Sequence, residues 1–262
     1  GTCVVEDSRG KPLGRALLSP HSLIAARLYS RDVKQELSRS FFKKRIEQAL
    51  TLREQLFDDA CYRLIYGEAD GLPGLVVDRF HDVLVVQTGS GAMEAHLDVI
   101  VSALDAVLAP THIIAKNEAA AREIEGLERY TKALKGEMLD EISPTENGAK
   151  FVAPLAEGQK TGWFYDHRAA RQKMQVLAKG ARVLDVFSYC GGWGVQADDS
   201  VQNHDVSFAH VVMQKVPIAG SWLTKRTTNN ILSVFDQVSD ELDESDNEKL
   251  CSVTWPARGV GT

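Results

Sequence analysis

Val183-Leu-Asp-Val-Phe-Ser-Tyr-Cys-Gly-Gly-Trp-Gly-Val-Gln-Ala197 decides the fold class of this chain. Val183 to Phe187 is a short apolar run broken by one acid, Asp185, and bounded by turn residues, the pattern of a buried strand. A small Gly-rich turn follows through Ser188, Gly191, Gly192 and Gly194, and a helix is expected to begin there. A strand passing through glycines into a helix brings bare backbone and a positive helix N-terminus to the carboxyl end of a parallel sheet. Open α/β sheets bind nucleotide-like groups at that place. The spacing fits neither Gly-x-x-x-x-Gly-Lys-Ser/Thr nor Gly-x-Gly-x-x-Gly, so neither a triphosphate nor a dinucleotide pyrophosphate is the natural guest.

S-adenosylmethionine is a third candidate. Its methionine moiety needs close backbone approach, and its sulfonium favours a nearby acid such as Asp185. A plain strand-turn-helix without a ligand explains the stretch as well. Upstream, Gly158-Gln-Lys-Thr-Gly-Trp-Phe-Tyr-Asp-His-Arg168 leads into a predicted helix with Ala170, Met174 and Leu177 at helical spacing and Asp166 as its expected N-cap. This segment reads either as a polar hairpin before a surface helix or as a cofactor wall. In the second case Lys160 and Arg168 supply charge, and Trp163, Phe164 and Tyr165 supply flat apolar surface.

Together the two segments resemble the class I S-adenosylmethionine-dependent large-subunit ribosomal RNA cytosine-C5 methyltransferases that carry an N-terminal PUA domain. Gln159, Lys160, Thr161, Gly162, Asp166 and Arg168 match the family's first motif. Asp185, Phe187, Ser188, Tyr189, Gly191 and Gly192 match the second, with Cys190 in place of the usual Thr. The run Tyr62-Arg-Leu-Ile-Tyr-Gly-Glu-Ala-Asp-Gly-Leu-Pro-Gly-Leu-Val-Val-Asp-Arg-Phe80 is a third match. The resemblance covers residues 4–197 and implies S-adenosylmethionine as cofactor, those twelve residues as its site, and ribosomal RNA as partner.

Nothing after Ala197 resembles the family. A doubly wound domain needs several strands, and each βαβ unit takes about 30 residues or more, whereas 65 residues remain. The resemblance implies an Asp-Pro-Pro motif and a Ser-Cys-Ser motif whose Cys attacks C6 of cytosine, making C5 nucleophilic. Neither motif occurs in these 262 residues, so no residue receives a catalytic label. Between Phe235 and Leu250 seven acids stand against Lys249, which reads as a solvated or disordered segment. The expectation is that a frameshift or assembly error near Asp198 replaced the catalytic half; a genuine shortened relative with a new tail is the rival.

The formal net charge of −6 gives nucleic-acid binding no support of its own. Arg39, Lys43, Lys44 and Arg45 form a basic cluster that a solvated helix face explains equally well. Cys3, Cys61, Cys190 and Cys251 form no Cys-x-x-Cys pair, and the seven histidines show no metal-ligand spacing, so no metal is expected. With no signal peptide, no bilayer-spanning apolar run and no disulfide framework, a cytoplasmic location without membrane association is expected. The oligomeric state is not legible.

Short strands are predicted at Cys3–Glu6, Gly14–Leu18 and Leu23–Tyr29, a helix at Ser40–Phe57 with Phe42, Ile46, Ala49, Leu50 and Leu56 on one side, and strands at Tyr62–Tyr66, Leu75–Asp78 and Val83–Gln87. A helix at Met93–Leu108, a strand at His112–Ala115, and strands near Met138–Ile142 and Lys150–Ala153 flanking an Asn147-Gly148 turn follow. The resulting fold is mixed α/β and α+β. It comprises part of a PUA-like β barrel (residues 1–31), a connecting helix (32–59), a central α+β domain (60–155) holding the one complete core, the beginning of a Rossmann-like class I methyltransferase domain (156–199), and an unmatched acidic tail (200–262). Three functions compete: the methyltransferase that the resemblance implies, with this piece inactive; a non-catalytic RNA-binding fragment; and a weak S-adenosylmethionine binder.

Overall fold

The computed structural model describes residues 1–156, 158, 160–178 and 189–197. The chain divides into two compact units, Gly1–Asp166 and His167–Thr262. In the first unit, β1 (Thr2–Glu6), β2 (Pro12–Leu18) and β3 (Ala26–Ser30) form an antiparallel sheet in that order. The Asp7 carboxylate shapes the first turn by accepting from the Arg9 and Lys11 amides, both at 2.9 Å. The third strand starts later than expected, because Ser22 to Ile24 bend away and leave Leu23 fully exposed.

Ser38 caps α1 (Arg39–Leu56) by accepting from the Phe41 amide at 3.3 Å. Phe42, Ile46 and Ala49 are buried as expected, but Leu56 is exposed. The next slot on the buried face belongs to Arg53. Its guanidinium grips Asp70 through two bonds of 2.6 and 2.7 Å, and its Nε donates to the Arg63 carbonyl at 3.1 Å.

The central sheet has five strands in sequential order, β4 (Cys61–Tyr66), β5 (Leu75–Phe80), β6 (Val83–Thr88), β7 (His112–Asn117) and β8 (Tyr130–Lys135). All neighbours are antiparallel except β6 and β7. That pair is joined by α2 (Gly91–Ala95) and α3 (Leu97–Leu108), two helices broken at His96 where one was expected. The short α4 (Ala121–Ile124) precedes β8, and neither was anticipated. One sheet face, with Tyr62, Leu64, Leu75, Val77, Leu84 and Val86, shares a core with Phe42 and Ile46 of α1 and with Ile100 and Leu104 of α3. Leu17 and Tyr29 join this same core, so it extends beyond residues 60–155 into the N-terminal sheet.

The opposite face carries Cys61, Arg63, Asp78 and Phe80. Residues 144–165 contact it: the Thr145 amide reaches Cys61 Sγ at 3.3 Å, and Tyr165 stacks on Phe80 at 5.4 Å. Within this cover, β9 (Glu141–Ile142) pairs with β12 (Ala153–Pro154), and β10 (Thr145–Glu146) pairs with β11 (Ala149–Lys150). Asn147 and Gly148 turn the inner hairpin with φ of +51° and +83°, as that dipeptide predicts.

In the second unit, α5 (Arg168–Leu177) and α6 (Gly194–Ala197) are described. Ala170 and Leu177 are exposed, while Arg171 is buried. Asp166 is not the N-cap of α5; His167 holds that position and its side chain does not cap the helix, while Asp166 lies in the 3-10 turn Tyr165–His167. The predicted strand Val183–Phe187 and the acidic tail lie outside the described residues.

Candidate functional site

Four of the twelve residues singled out in the sequence, Gln159, Asp185, Phe187 and Ser188, lie outside the described residues. Lys160, Thr161, Gly162 and Asp166 belong to the first unit, and Arg168, Tyr189, Gly191 and Gly192 to the second.

In the first unit the motif is fastened to the central sheet. Thr161 is fully buried, and its hydroxyl donates to Asp78 Oδ2 at 2.6 Å. Arg63 donates to both oxygens of the same carboxylate, at 2.8 and 3.0 Å. Burial alone would lower the Arg63 pKa, but its bonds to Asp78 outweigh this and raise it. The neighbouring Gly162 has φ +104°, and a Cβ there would sit 2.8 Å from Ile142 Cδ1 and 3.3 Å from the Pro154 carbonyl oxygen. The motif's glycine is thus required by backbone and space together. Trp163 is buried, donates its indole N–H to Glu146 at 3.0 Å, and packs on Phe151 at 4.6 Å. Lys160 lies between these anchors and the solvent with φ +50°, half exposed. Its ammonium is 3.3 Å from Asp166 and 4.5 Å from the centre of the Phe164 ring. Burial pushes the Asp166 carboxyl up, but its own backbone amide and Lys160 bring it below its ordinary value.

Lys116 was not anticipated. It is buried on β7, and its ammonium donates to the carbonyls of Leu155 and Gly158, the latter at 2.5 Å. Burial lowers its pKa, and Glu118 offsets this in part. The available signal was a single Lys inside the apolar run His112–Asn117. Asp78 gave a similar signal within Leu75–Phe80, since an acid in a buried strand requires partners.

A second buried polar cluster closes the carboxyl ends of β6 and β7. Glu94 accepts from the Thr88 hydroxyl at 2.5 Å, Tyr130 at 2.6 Å and Arg122 at 3.1 Å. Burial would raise the Glu94 pKa, but these bonds hold it below the usual value. Burial and the Glu94 bond push the Tyr130 phenol up to about 12.

In the second unit, Tyr189 and Gly191 adopt φ of +53° and +71°. The turn buries Gly191 and Gly192 and enters α6, whose Val195 amide donates to the Gly191 carbonyl at 2.9 Å. Burial raises the Cys190 thiol pKa, which disfavours its thiolate form. Arg168 opens α5, and the Arg171 guanidinium lies 5.8 Å from the Trp193 ring centre. The expected Gly-rich turn into a helix is therefore present. Among the described residues, no helix is long and apolar enough to cross a membrane.

A sequence profile for S-adenosylmethionine-dependent methyltransferases matches residues 71–237, and one for a PUA-like domain matches residues 1–31. The chain belongs to the S-adenosylmethionine-dependent methyltransferase family and carries a PUA-like domain. The match runs past Ala197, so the likeness does not end where the recognisable motifs do. Similar proteins include those named ribosomal RNA large subunit methyltransferase I from Alteromonas mediterranea (38% identical, over 79% of this chain and 54% of the relative) and Vibrio vulnificus (38%, 72% and 48%). The Shigella dysenteriae protein of that name is 30% identical over 92% of this chain and 65% of its own length. The chain spans about half the length of the curated relatives it matches. A Streptococcus mutans protein described as a SAM-dependent methyltransferase has a similar fold, with a TM-score of 0.64 at 24% identity over 75% of this chain and 51% of that one. A structure of SMU.776 complexed with SAH matches over the same shares at 23% identity and the same TM-score. The fold is thus mixed α/β, with methyltransferase-like neighbours.

Proposed function

We propose that this chain supplies the PUA-like, central and cofactor-loop segments of an enzyme that methylates C5 of cytosine in large-subunit ribosomal RNA with S-adenosylmethionine. The family match over residues 71–237, which includes both motif segments, carries the reading. The geometry fits the cofactor in one respect: at Gly191 and Gly192 the turn offers backbone without side chains, with Gly191 in the left-handed region. When bound, the cofactor supplies an electrophilic methyl group on a sulfonium. The chain's own contribution is positional, since Thr161 and Gly162 fix the backbone on either side of which Lys160 and Trp163 diverge.

Without an Asp-Pro-Pro or a Ser-Cys-Ser sequence, the 262 residues are expected to bind cofactor weakly and to transfer nothing. The test is equilibrium dialysis of labelled S-adenosylmethionine, run beside nucleoside mass spectrometry of ribosomal RNA incubated with the protein. Weak saturable binding without new 5-methylcytosine is expected. Detectable 5-methylcytosine would show that these residues complete the reaction, and absence of binding at millimolar cofactor would remove the cofactor reading. The non-catalytic alternative, RNA binding alone, predicts salt-sensitive retention of ribosomal RNA.

A further inference from the structure

Gly158 and Thr161 bracket the exposed cation of the first motif, and each is tied to a different strand of the central sheet. On one side, the Lys116 ammonium on β7 donates to the Gly158 carbonyl at 2.5 Å and also to the Leu155 carbonyl. On the other, the Asp78 carboxylate on β5 accepts from Thr161 at 2.6 Å and is held by the Arg63 fork from β4. Both anchors are buried: Lys116 is 2% exposed, while Asp78 and Thr161 are fully covered. Among the described residues no ion pair joins Lys116 to a carboxylate, and its ammonium bonds to two backbone carbonyls of this one segment. A buried ammonium is costly unless its donors are satisfied, so these bonds are its structural reason to be there. Lys160, carried between the anchors, adopts φ +50°, a conformation that a bulky residue seldom takes without outside constraint.

We infer that Lys116 and the Arg63–Asp78 pair are positioning residues for the backbone at Gly158 and at Lys160 to Gly162, a two-point clamp by which the central domain sets the presentation of Lys160 to cofactor. The assignment rests on the functional reading above for the word cofactor, but not for the clamp. Neither anchor is asked to touch the cofactor. Each acts through the loop backbone, and the two must act together because fixing one end alone leaves Lys160 free to swing.

The experiment is hydrogen–deuterium exchange on the full chain, with and without S-adenosylhomocysteine, for wild type, Lys116→Met, Thr161→Val and Thr161→Ser. Lys116→Met and Thr161→Val should each speed exchange in peptides covering 158–163 at least tenfold, while α1 and α3 peptides stay within twofold. Thr161→Ser, which keeps the hydroxyl, should restore the slow rate. S-adenosylhomocysteine should slow exchange of the loop in wild type and in Thr161→Ser, and at least tenfold more of it should be needed in the two loosened variants. If Thr161→Val leaves loop exchange unchanged, or speeds it equally everywhere, the clamp is wrong, whatever Lys116→Met does to folding. If the clamp behaves as stated but S-adenosylhomocysteine protects nothing in wild type, the cofactor reading fails and the clamp stands.

Discussion

Gly162 holds φ +104° beside Ile142 and the Pro154 carbonyl, whereas Gly148 holds φ +83° in open space. The contrast separates backbone strain from crowding. Gly148→Ala should cost about 1 kcal/mol through φ alone, and Gly162→Ala about 2 kcal/mol or more, because its Cβ also meets neighbours. Urea denaturation of both variants checks the ordering, and equal costs would show that Ile142 simply yields. Protonation makes a second residue-level test. The Glu94 pKa is lowered by its hydrogen bonds despite burial, so its contribution is fully present above the ordinary glutamate value. It is lost as pH falls through the lower folded value. Tyr130 has the opposite sign: its phenol, pushed up to about 12, contributes below its ordinary value of 10.0 and loses that contribution as pH rises from there towards about 12. Denaturation midpoints measured against pH should therefore fall on both sides. Glu94→Gln should flatten the acid limb, and Tyr130→Phe the alkaline one; an unchanged acid limb in Glu94→Gln would mean the carboxylate is not paired in solution. Sequence alone singled out the first motif by resemblance, but not the partners that hold it. Thr161 and Gly162 were legible as a match, whereas their partners Asp78 and Ile142 lie far away in sequence and meet them only after the sheet forms. Lys116 was missed for the same reason, since a lone lysine in an apolar run names no acceptor.

Helices and strands were legible where one periodicity dominated a segment. The α1 boundaries agree within a residue or so because Phe42, Ile46 and Ala49 recur at helical spacing. Leu56 was assigned to the same face but is exposed, as the spacing of the buried face places Arg53 there instead. Phe42→Ala should accordingly cost about 3 to 5 kcal/mol, while Leu56→Ala should stay within about 0.5 kcal/mol. Comparable losses would mean that Leu56 is covered in solution. Strand β8 escaped notice because Tyr-Thr-Lys-Ala-Leu-Lys alternates poorly and carries two lysines. Those are features of an edge strand, and β8 is at the sheet's edge. The break between α2 and α3 was equally hidden. The His96 ring binds back to the Ala92 carbonyl at 2.8 Å, a local bond that competes with the helix and that apolar spacing does not register.

The first unit shares one core across pieces that sequence similarity treats as separate. The PUA-like match stops at residue 31, and the methyltransferase match starts at residue 71. Yet Leu17 of β2 and Tyr29 of β3 lie in the same apolar cluster as α1, α3 and the central sheet. Polar ties follow the same path: the Tyr29 hydroxyl donates to the Gln35 carbonyl at 2.8 Å, Arg45 to the Tyr29 carbonyl at 3.3 Å, and Arg27 lies 3.8 Å from both Glu68 and Glu125. The Arg27–Glu68 pair, exposed on its acidic side, adds little stability, but Leu17 is fully buried, and removing its side chain should cost about 3 kcal/mol. Because the core is continuous, that loss belongs to the whole unit rather than to residues 1–31. Trp163, buried against Phe151 at the far face of the central sheet, is a suitable reporter once Trp193, Trp222 and Trp255 are replaced by Phe. In that background, Leu17→Ala should lower the urea midpoint of Trp163 emission and the midpoint for loss of β2 amide protection by the same amount, in a single transition. If β2 exchanges freely while Trp163 remains native, the N-terminal sheet is an independent module, and the cluster joining Leu17 to the central core contributes no cooperativity.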